Sequence, residues 1–245
     1  MANLRKGVLE KVSSYLKGQK YSFEVVIVDD GSKDGSVEYI QNFIKNNPAF
    51  RLIKNTHTGK AGAVTRGMLS GSGEVLLFTD MDQATPIEEL EKILPFFSKV
   101  LPHGRQGYDV VIGSRSTKRQ GAPLIRQFVS RANIILRKIV VGIHDISDTQ
   151  CGFKAFKREV ALDLFQKVDK LHNGFRTISG SSVTSGFDVE LLYLAEKTGY
   201  KIKEVTVKWL YVETRRVNPV KDSIDGVMEL LKIRMNQLNG RYDNL

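Results

Sequence analysis

Apolar positions along this chain follow two rhythms, a spacing near 3.6 that marks helices and short unbroken runs that mark buried strands. Leu4, Val8, Leu9, Val12 and Leu16 predict an amphipathic helix over residues 3–17, closed by Gly18. Phe23 to Val28 form a mostly β-branched strand that runs into Asp29, Asp30, Gly31 and Ser32. Val37, Ile40, Phe43 and Ile44 give a helix that closes before Pro48, and Arg51-Leu52-Ile53 begins a second strand. The glycine-rich stretch 55–73 leads into a helix, and Glu74 to Phe78 form a third strand, followed by a helix on Ile87, Leu90, Ile93 and Leu94. After a polar loop around 102–107, the segment DVVIGSRS predicts a strand ending at Gly113, Ser114 and Arg115. A helix over Val160 to Val168 comes next, then an aperiodic Gly/Ser stretch, 172–186, that reads as a mobile loop. A helix opened by Asp188 and Glu190 follows, then a strand over Ile202 to Leu210 with Val205, Val207 and Trp209 on one face. The last helix carries Ile224, Val227, Met228, Leu231, Met235 and Leu238 on one stripe.

Strands alternating with helices predict an α/β fold, and in open α/β sheets ligands sit beyond the carboxyl ends of the strands. Three strand ends carry Asp or Arg, so they should meet at one cleft. The densest chemistry is in LLFTDMDQATP, residues 76–86. Asp80 and Asp82 stand one residue apart on backbone that is extended and then turns at Pro86, so both can reach a hard divalent cation and the phosphates it carries. The plainer alternative is that they shape a turn and cap the next helix. Gly59-Lys60 is no P-loop, because Lys54 stands at the required first glycine and Ala61 follows the lysine. Lys60 at a glycine-rich helix start can still meet a phosphate or ribose, or simply be solvated.

Residues 115–138 hold Arg115, Lys118, Arg119, Arg126, Arg131, Arg137 and Lys138 with no acidic residue among them, interleaved with Leu, Ile, Val and Phe. Such a segment suits an anionic membrane surface, or a core-packed helix with a solvated basic face. The final helix, flanked by Lys221, Lys232, Arg234 and Arg241, allows the same two readings.

Composition narrows the partners. A net charge of +10 and a pI near 9.6 call for an anionic one: nucleotide, phospholipid or nucleic acid. Nothing in the chain resembles an RNA- or DNA-binding motif or an aromatic stacking pattern, which argues against nucleic acid. A single cysteine, Cys151, excludes an internal disulfide, and four scattered histidines lack zinc-ligand spacing. No apolar run is long enough to cross a bilayer and the N-terminus has no signal-peptide core, so a cytoplasmic protein is expected.

Six segments then coincide in order and spacing: VDDGSKDGS, NTHTGKAGAVTRGM, FTDMDQATP, VVIGSRS, DTQCGFKAF and SGFDVELL. Over residues 3–235 the chain resembles the inverting family 2 glycosyltransferases of GT-A fold, particularly those acting on dolichyl or polyprenyl phosphate, the β-glucosyltransferase type above all. The resemblance implies a nucleotide-diphospho-sugar transferase domain over 1–245: a Rossmann-like mixed sheet flanked by helices, a nucleotide-sugar half over about 1–115, and an acceptor- and membrane-facing half over about 116–245. It implies transfer of a hexose, most readily glucose, from a UDP-sugar to dolichyl or polyprenyl phosphate with inversion, using Mg²⁺ or Mn²⁺, at the cytoplasmic face of a membrane. By the same resemblance Asp29, Asp30 and Lys60 hold the nucleotide sugar, Asp80 and Asp82 hold the metal, and Arg115, Arg126, Ser130, Arg215 and Arg216 hold the acceptor phosphate. Asp188 and Glu190 match an acidic pair of the active site.

Two departures matter. Family members begin with an apolar strand and a P-x-Y/F-N-E-E type segment, and Ala2-Asn3-Leu4 matches only its tail, so the sheet is expected to lack a central strand and the chain to be truncated. Mannosyl relatives place a glutamine two residues beyond the second aspartate, where this chain has Ala84, which favours a glucosyl donor. The alternatives are mannosyl or N-acetylglucosaminyl transfer to the same acceptor, and a non-catalytic protein that binds polyprenyl phosphate or anionic membrane.

Overall fold

The computed structural model describes residues 1–98, 107–115, 134–175, 186–210 and 219–245. Helices α1 (Ala2–Arg5) and α2 (Val8–Lys17) replace the single helix predicted over 3–17. Gly7 between them has φ 71°, a left-handed conformation that breaks the helix at a residue without Cβ. Then come β1 (Val25–Asp29), α3 (Ser36–Ile44), β2 (Phe50–Lys54), α4 (Gly59–Ser70) and β3 (Val75–Thr79). The segment after β3 is a short α-helix, α5 (Leu90–Ile93), between two 3-10 turns, Ile87–Glu89 and Leu94–Phe97. Next are β4 (Val110–Arg115), a helix over 134–141 (α6), β5 (Phe153–Lys157), α7 (Arg158–Leu171), α8 (Phe187–Lys197), β6 (Ile202–Val207) and α9 (Pro219–Leu238).

The predicted final strand stops earlier than expected. It ends at Val207 rather than Leu210, because the Leu210 amide leaves the ladder and donates to the Ala84 carbonyl at 2.7 Å. Trp209, beyond the end of the strand, is more than a third exposed.

Among the described residues the strands form two sheets. One pairs β1 with β2 in parallel, and the other has the order β3-β5-β4-β6. In the second, β5 is antiparallel to both β3 and β4, and β4 runs parallel to β6. No ladder joins β1 to β3, and α4 packs against both strands.

The four-stranded sheet is covered on both faces. Leu76, Phe78, Val110, Ile112 and Phe156 face α4, α7 and α8, where Met68, Leu164, Phe165 and Leu191 complete a core. Val111, Phe153 and Ala155 face the other way, toward Leu9, Val12 and Leu16 of α2 and toward Ile87, Leu90 and Ile93. Alternating residues on one strand thus serve two apolar layers, which requires the near-continuous apolar runs of β3 and β4. The exception is Lys154, in register with Phe78 and Ile112 and without exposed surface.

Candidate functional site

Two acidic strand ends and one helix start come together. Asp29 closes β1 and is buried, with Oδ2 accepting from the amides of Gly31 at 3.2 Å and Ser32 at 3.1 Å. Asp30 turns toward α4: Oδ1 accepts from the Thr58 amide at 2.9 Å and Asn55 Nδ2 at 3.1 Å, and Oδ2 from the Gly59 amide at 2.8 Å. His57 Nδ1 lies 2.8 Å from the same Oδ2. Asp30 therefore satisfies the open amides at the start of α4, where negative charge also complements the helix dipole. That contact fixes Lys60, the second residue of the helix, beside the next strand end.

Lys60 Nζ stands 2.8 Å from Asp80 Oδ1. Burial pulls the ammonium's pKa down, but Asp80, then Asp188 and Asp82, outweigh it and leave the pKa raised, so Lys60 is charged at neutral pH. Asp80 is seated by Gly152, whose carbonyl accepts the Asp80 amide at 3.2 Å. A Cβ on Gly152 would stand 1.9 Å from Asp80 Oδ2, so only glycine leaves the carboxylate its place. Asp82 accepts the Ala84 amide at 3.0 Å, and Gln83, at φ 50°, folds its Nε2 back to the Asp80 carbonyl at 3.1 Å and Thr79 Oγ1 at 3.2 Å. The two aspartates are thus both turn-formers and partly exposed acids.

Arg115, at the end of β4, is held by Asp148: Nε donates to Oδ2 at 2.7 Å, Nη2 to Oδ1 at 2.8 Å, and its amide to Oδ2 at 3.0 Å. Its guanidinium lies 5.8 Å from the Trp209 ring centroid. Asp148 is itself anchored by its amide, which donates to Glu204 Oε1 at 2.7 Å, while Arg137 on α6 reaches Thr149 Oγ1 and the Ser147 carbonyl.

The predicted acidic pair divides into two roles. Asp188 and Glu190 both lie buried in the first turn of α8. Asp188 Oδ1 meets Lys154 Nζ at 2.5 Å, and its negative charge also acts on Lys60. Glu190 turns away, 2.6 Å from His172 Nε2 and accepting from the Tyr242 hydroxyl at 2.6 Å. Burial and then the Glu190 charge hold the Tyr242 hydroxyl's pKa far above its ordinary value.

The structure therefore gathers Lys60, Asp80, Asp82 and Asp188, places Asp29 and Asp30 at the neighbouring strand end, and ties Arg115 to the start of the 148–152 turn through Asp148. Arg126, Ser130, Arg215 and Arg216 lie outside the described residues. Sequence reasoning missed Lys154, Asp148, His57 and Tyr242. For Lys154 a signal existed, since a lysine between Phe153 and Ala155-Phe156 interrupts a strand that is otherwise apolar.

A hard divalent cation fits this donor set. Asp80 and Asp82 offer two partly exposed carboxylates on one turn, and Gly152 keeps the space that Asp80 occupies. Mg²⁺ commonly takes one or two carboxylates and completes its shell with phosphate oxygens and water. Among the described residues no group of three His, Cys, Asp or Glu gathers to hold an ion.

The sequence matches the family described as Glycosyl transferase family 2 over residues 3–165. A dolichyl-phosphate β-glucosyltransferase of Saccharomyces cerevisiae is 34% identical, over 96% of this chain and 71% of its own length. Its counterparts of the same name in Homo sapiens and Dictyostelium discoideum are 31% and 32% identical, over 96% and 91% of this chain. The chain spans 72% of the human relative and 66% of the Dictyostelium one. Among solved structures, mannosyl-3-phosphoglycerate synthase from Rubrobacter xylanophilus superposes with a TM-score of 0.54 at 13% identity, covering 96% of this chain and 70% of that one. A mannosyltransferase from Pyrobaculum calidifontis, in complex with GDP-Man and Mn²⁺, gives 0.52 at 16% identity, covering 95% and 70%. These structural likenesses support the GT-A fold alone.

Proposed function

The chain belongs to glycosyl transferase family 2, and from that premise we propose that it moves glucose from a UDP-sugar to dolichyl or polyprenyl phosphate, with inversion. The observation that carries the reading is the Lys60–Asp80 ion pair, which joins the start of α4 to the D-x-D turn at the carboxyl ends of two strands. Cationic and anionic groups meet there, as binding a metal diphosphate requires.

In this reading Asp29 and Asp30 lie beside the nucleoside, and Lys60 neutralises charge on the departing diphosphate. Asp80 and Asp82 would hold Mg²⁺ or Mn²⁺, which supplies Lewis-acid stabilisation of the diphosphate when bound. The acceptor needs no base. A phosphate monoester has its second pKa near ~6, so it is largely dianionic at neutral pH and attacks the anomeric carbon directly. Attack opposite the leaving group turns an α-linked donor into a β-linked product. Arg115 suits the acceptor side, because guanidinium binds phosphate through parallel hydrogen bonds and the Asp148 clamp fixes the plane of its fork. Arg126, Ser130, Arg215 and Arg216 complete that side in the same reading.

The acceptor is a lipid, and the surface suits one. Helix α9 packs through Leu230 and Ile233 while Ile224, Val227, Met228, Leu231, Met235 and Leu238 stay exposed, as do Ile135 and Ile139 of α6. The two helices are tied by Gln237 Nε2 donating to the Val141 carbonyl at 2.9 Å. Lys232, Arg234 and Arg241 lie exposed alongside. No helix among the described residues is long and apolar enough to cross a membrane. In this reading the stripe lies on an anionic leaflet, at the cytoplasmic face of the membrane. The parted sheet favours a second reading, a binder of lipid phosphate that does not turn over.

Incubation with UDP-glucose, Mn²⁺ and either polyprenyl phosphate or the unphosphorylated polyprenol tests the choice. UDP release and a product of added hexose mass with the phosphate alone support the transferase. Binding of polyprenyl phosphate without UDP release supports the second reading.

A further inference from the structure

The 148–152 turn touches both sides of the proposed site. Asp148 clamps Arg115, and Gly152 seats Asp80. Asp-Thr-Gln-Cys-Gly is a polar sequence with little stiffness of its own, yet an error of an ångström in either contact would misplace a charged group. Glu204 and Arg137 hold its first residues, and what fastens its Cys151–Gly152 end is Lys154. Lys154 Nζ donates to the Cys151 carbonyl at 2.6 Å and to Asp188 Oδ1 at 2.5 Å, and stands 5.3 Å from the Phe78 ring centroid.

This is a poor choice for stability. A buried ion pair recovers the cost of desolvating its charges only in part, and apolar residues of similar volume are often as stable or more so. Between Phe78 and Ile112 an aliphatic side chain would pack without that cost. The pair does give a fixed link between the start of α8, the turn and the strand that delivers Asp80.

We propose that Lys154 is a positioning residue for the transfer reaction: by tying Asp188 to the Cys151 carbonyl it fixes the 148–152 turn, so that Gly152 seats Asp80 and Asp148 seats Arg115. This rests on the glycosyl-transfer reading of the site. It also gives Asp188 the work of a counter-ion rather than of a base. Charges then alternate from Lys154 through Asp188 and Lys60 to Asp80.

The test is a pair of variants read by melting, by calorimetric affinity for Mn²⁺ with UDP, and by kcat and KM for UDP-glucose. Lys154→Met alone strands Asp188 and should lower the melting temperature. Lys154→Met with Asp188→Leu removes both charges and should melt near the wild type, yet bind Mn²⁺ with UDP about tenfold or more weakly, as loss of groups supporting metal ligands generally does, with kcat reduced as well. A folded double variant with wild-type affinity and kcat overturns the proposal. A double variant that does not fold also overturns it, because the pair would then be holding the core. The affinity arm needs no turnover, so a wild type that binds Mn²⁺ with UDP but transfers nothing counts against the function and still tests Lys154. A wild type that binds no Mn²⁺ with UDP overturns both.

Discussion

Asp148 grips the Arg115 guanidinium with both carboxylate oxygens and takes the Arg115 amide as well, so one acid fixes the backbone and the side chain at the end of β4. Burial alone would push the Asp148 pKa up, but hydrogen bonds and charge from Arg115 outweigh it and hold the carboxyl below its ordinary 3.8. A folded-state pKa below the unfolded one means the contribution is fully present above 3.8 and is lost as pH falls through the folded value. Asp148→Asn should cost about 2 kcal/mol at neutral pH, as for a hydrogen bond to a charged group. Urea unfolding across the acid range should show a shallower pH slope in the variant; identical slopes would mean the clamp adds no stability.

Gly152→Ala should act on Asp80 with little effect on the fold. The new Cβ meets a carboxylate that can rotate away, and Asp80 is partly exposed. The melting temperature is expected to hold while Mn²⁺-dependent turnover falls about tenfold or more. Unchanged turnover would show that the position of Asp80 is not critical.

Helix α9 separates packing from the proposed lipid contact by face. Ile233→Ala, on the buried face, should cost about 2–4 kcal/mol by leaving a cavity. Leu231→Glu, on the exposed stripe, should leave stability within about 0.5 kcal/mol and reduce sedimentation with phosphatidylserine vesicles. Equal vesicle binding by wild type and Leu231→Glu would remove the stripe from membrane association.

Tyr242 meets the first turn of α8 through Glu190. Tyr242→Phe leaves Glu190 buried with one hydrogen bond fewer and should lower stability by about 1–3 kcal/mol in denaturant titration. Because Glu190 faces His172 and Tyr242, its own KM effect on UDP-glucose should be far smaller than that of Lys60→Ala.

Much of this was readable from the sequence, for physical reasons. The apolar runs of β1, β3 and β4 could hardly be anything but strands, and Asp80 and Asp82 stood out because acids follow a buried strand directly. What stayed hidden depends on contacts distant in sequence. Asp148 is 33 residues from Arg115, and Tyr242 is 52 residues from Glu190, so neither partnership leaves a local pattern. Asp30 looked like a ligand-binding acid and also caps α4, because a carboxylate at a strand end meets a helix start only when the chain folds back. The break at Gly7 and the early end of β6 were missed because apolar spacing runs through both points, while backbone geometry does not.

The most direct measurement compares wild type with Asp82→Asn in glucose transfer to polyprenyl phosphate, with and without Mn²⁺, after circular dichroism has shown both to be folded. Asparagine keeps the oxygen that accepts the Ala84 amide, so the turn should survive while a metal-binding charge is lost. The expected result is a glucosylated lipid phosphate from the wild type only with Mn²⁺ and at least about a hundredfold less from the variant, the scale of losing a main stabiliser of transition-state charge. Folded Asp82→Asn that transfers glucose at the wild-type rate, or wild type indifferent to Mn²⁺, would contradict a mechanism built on the D-x-D turn.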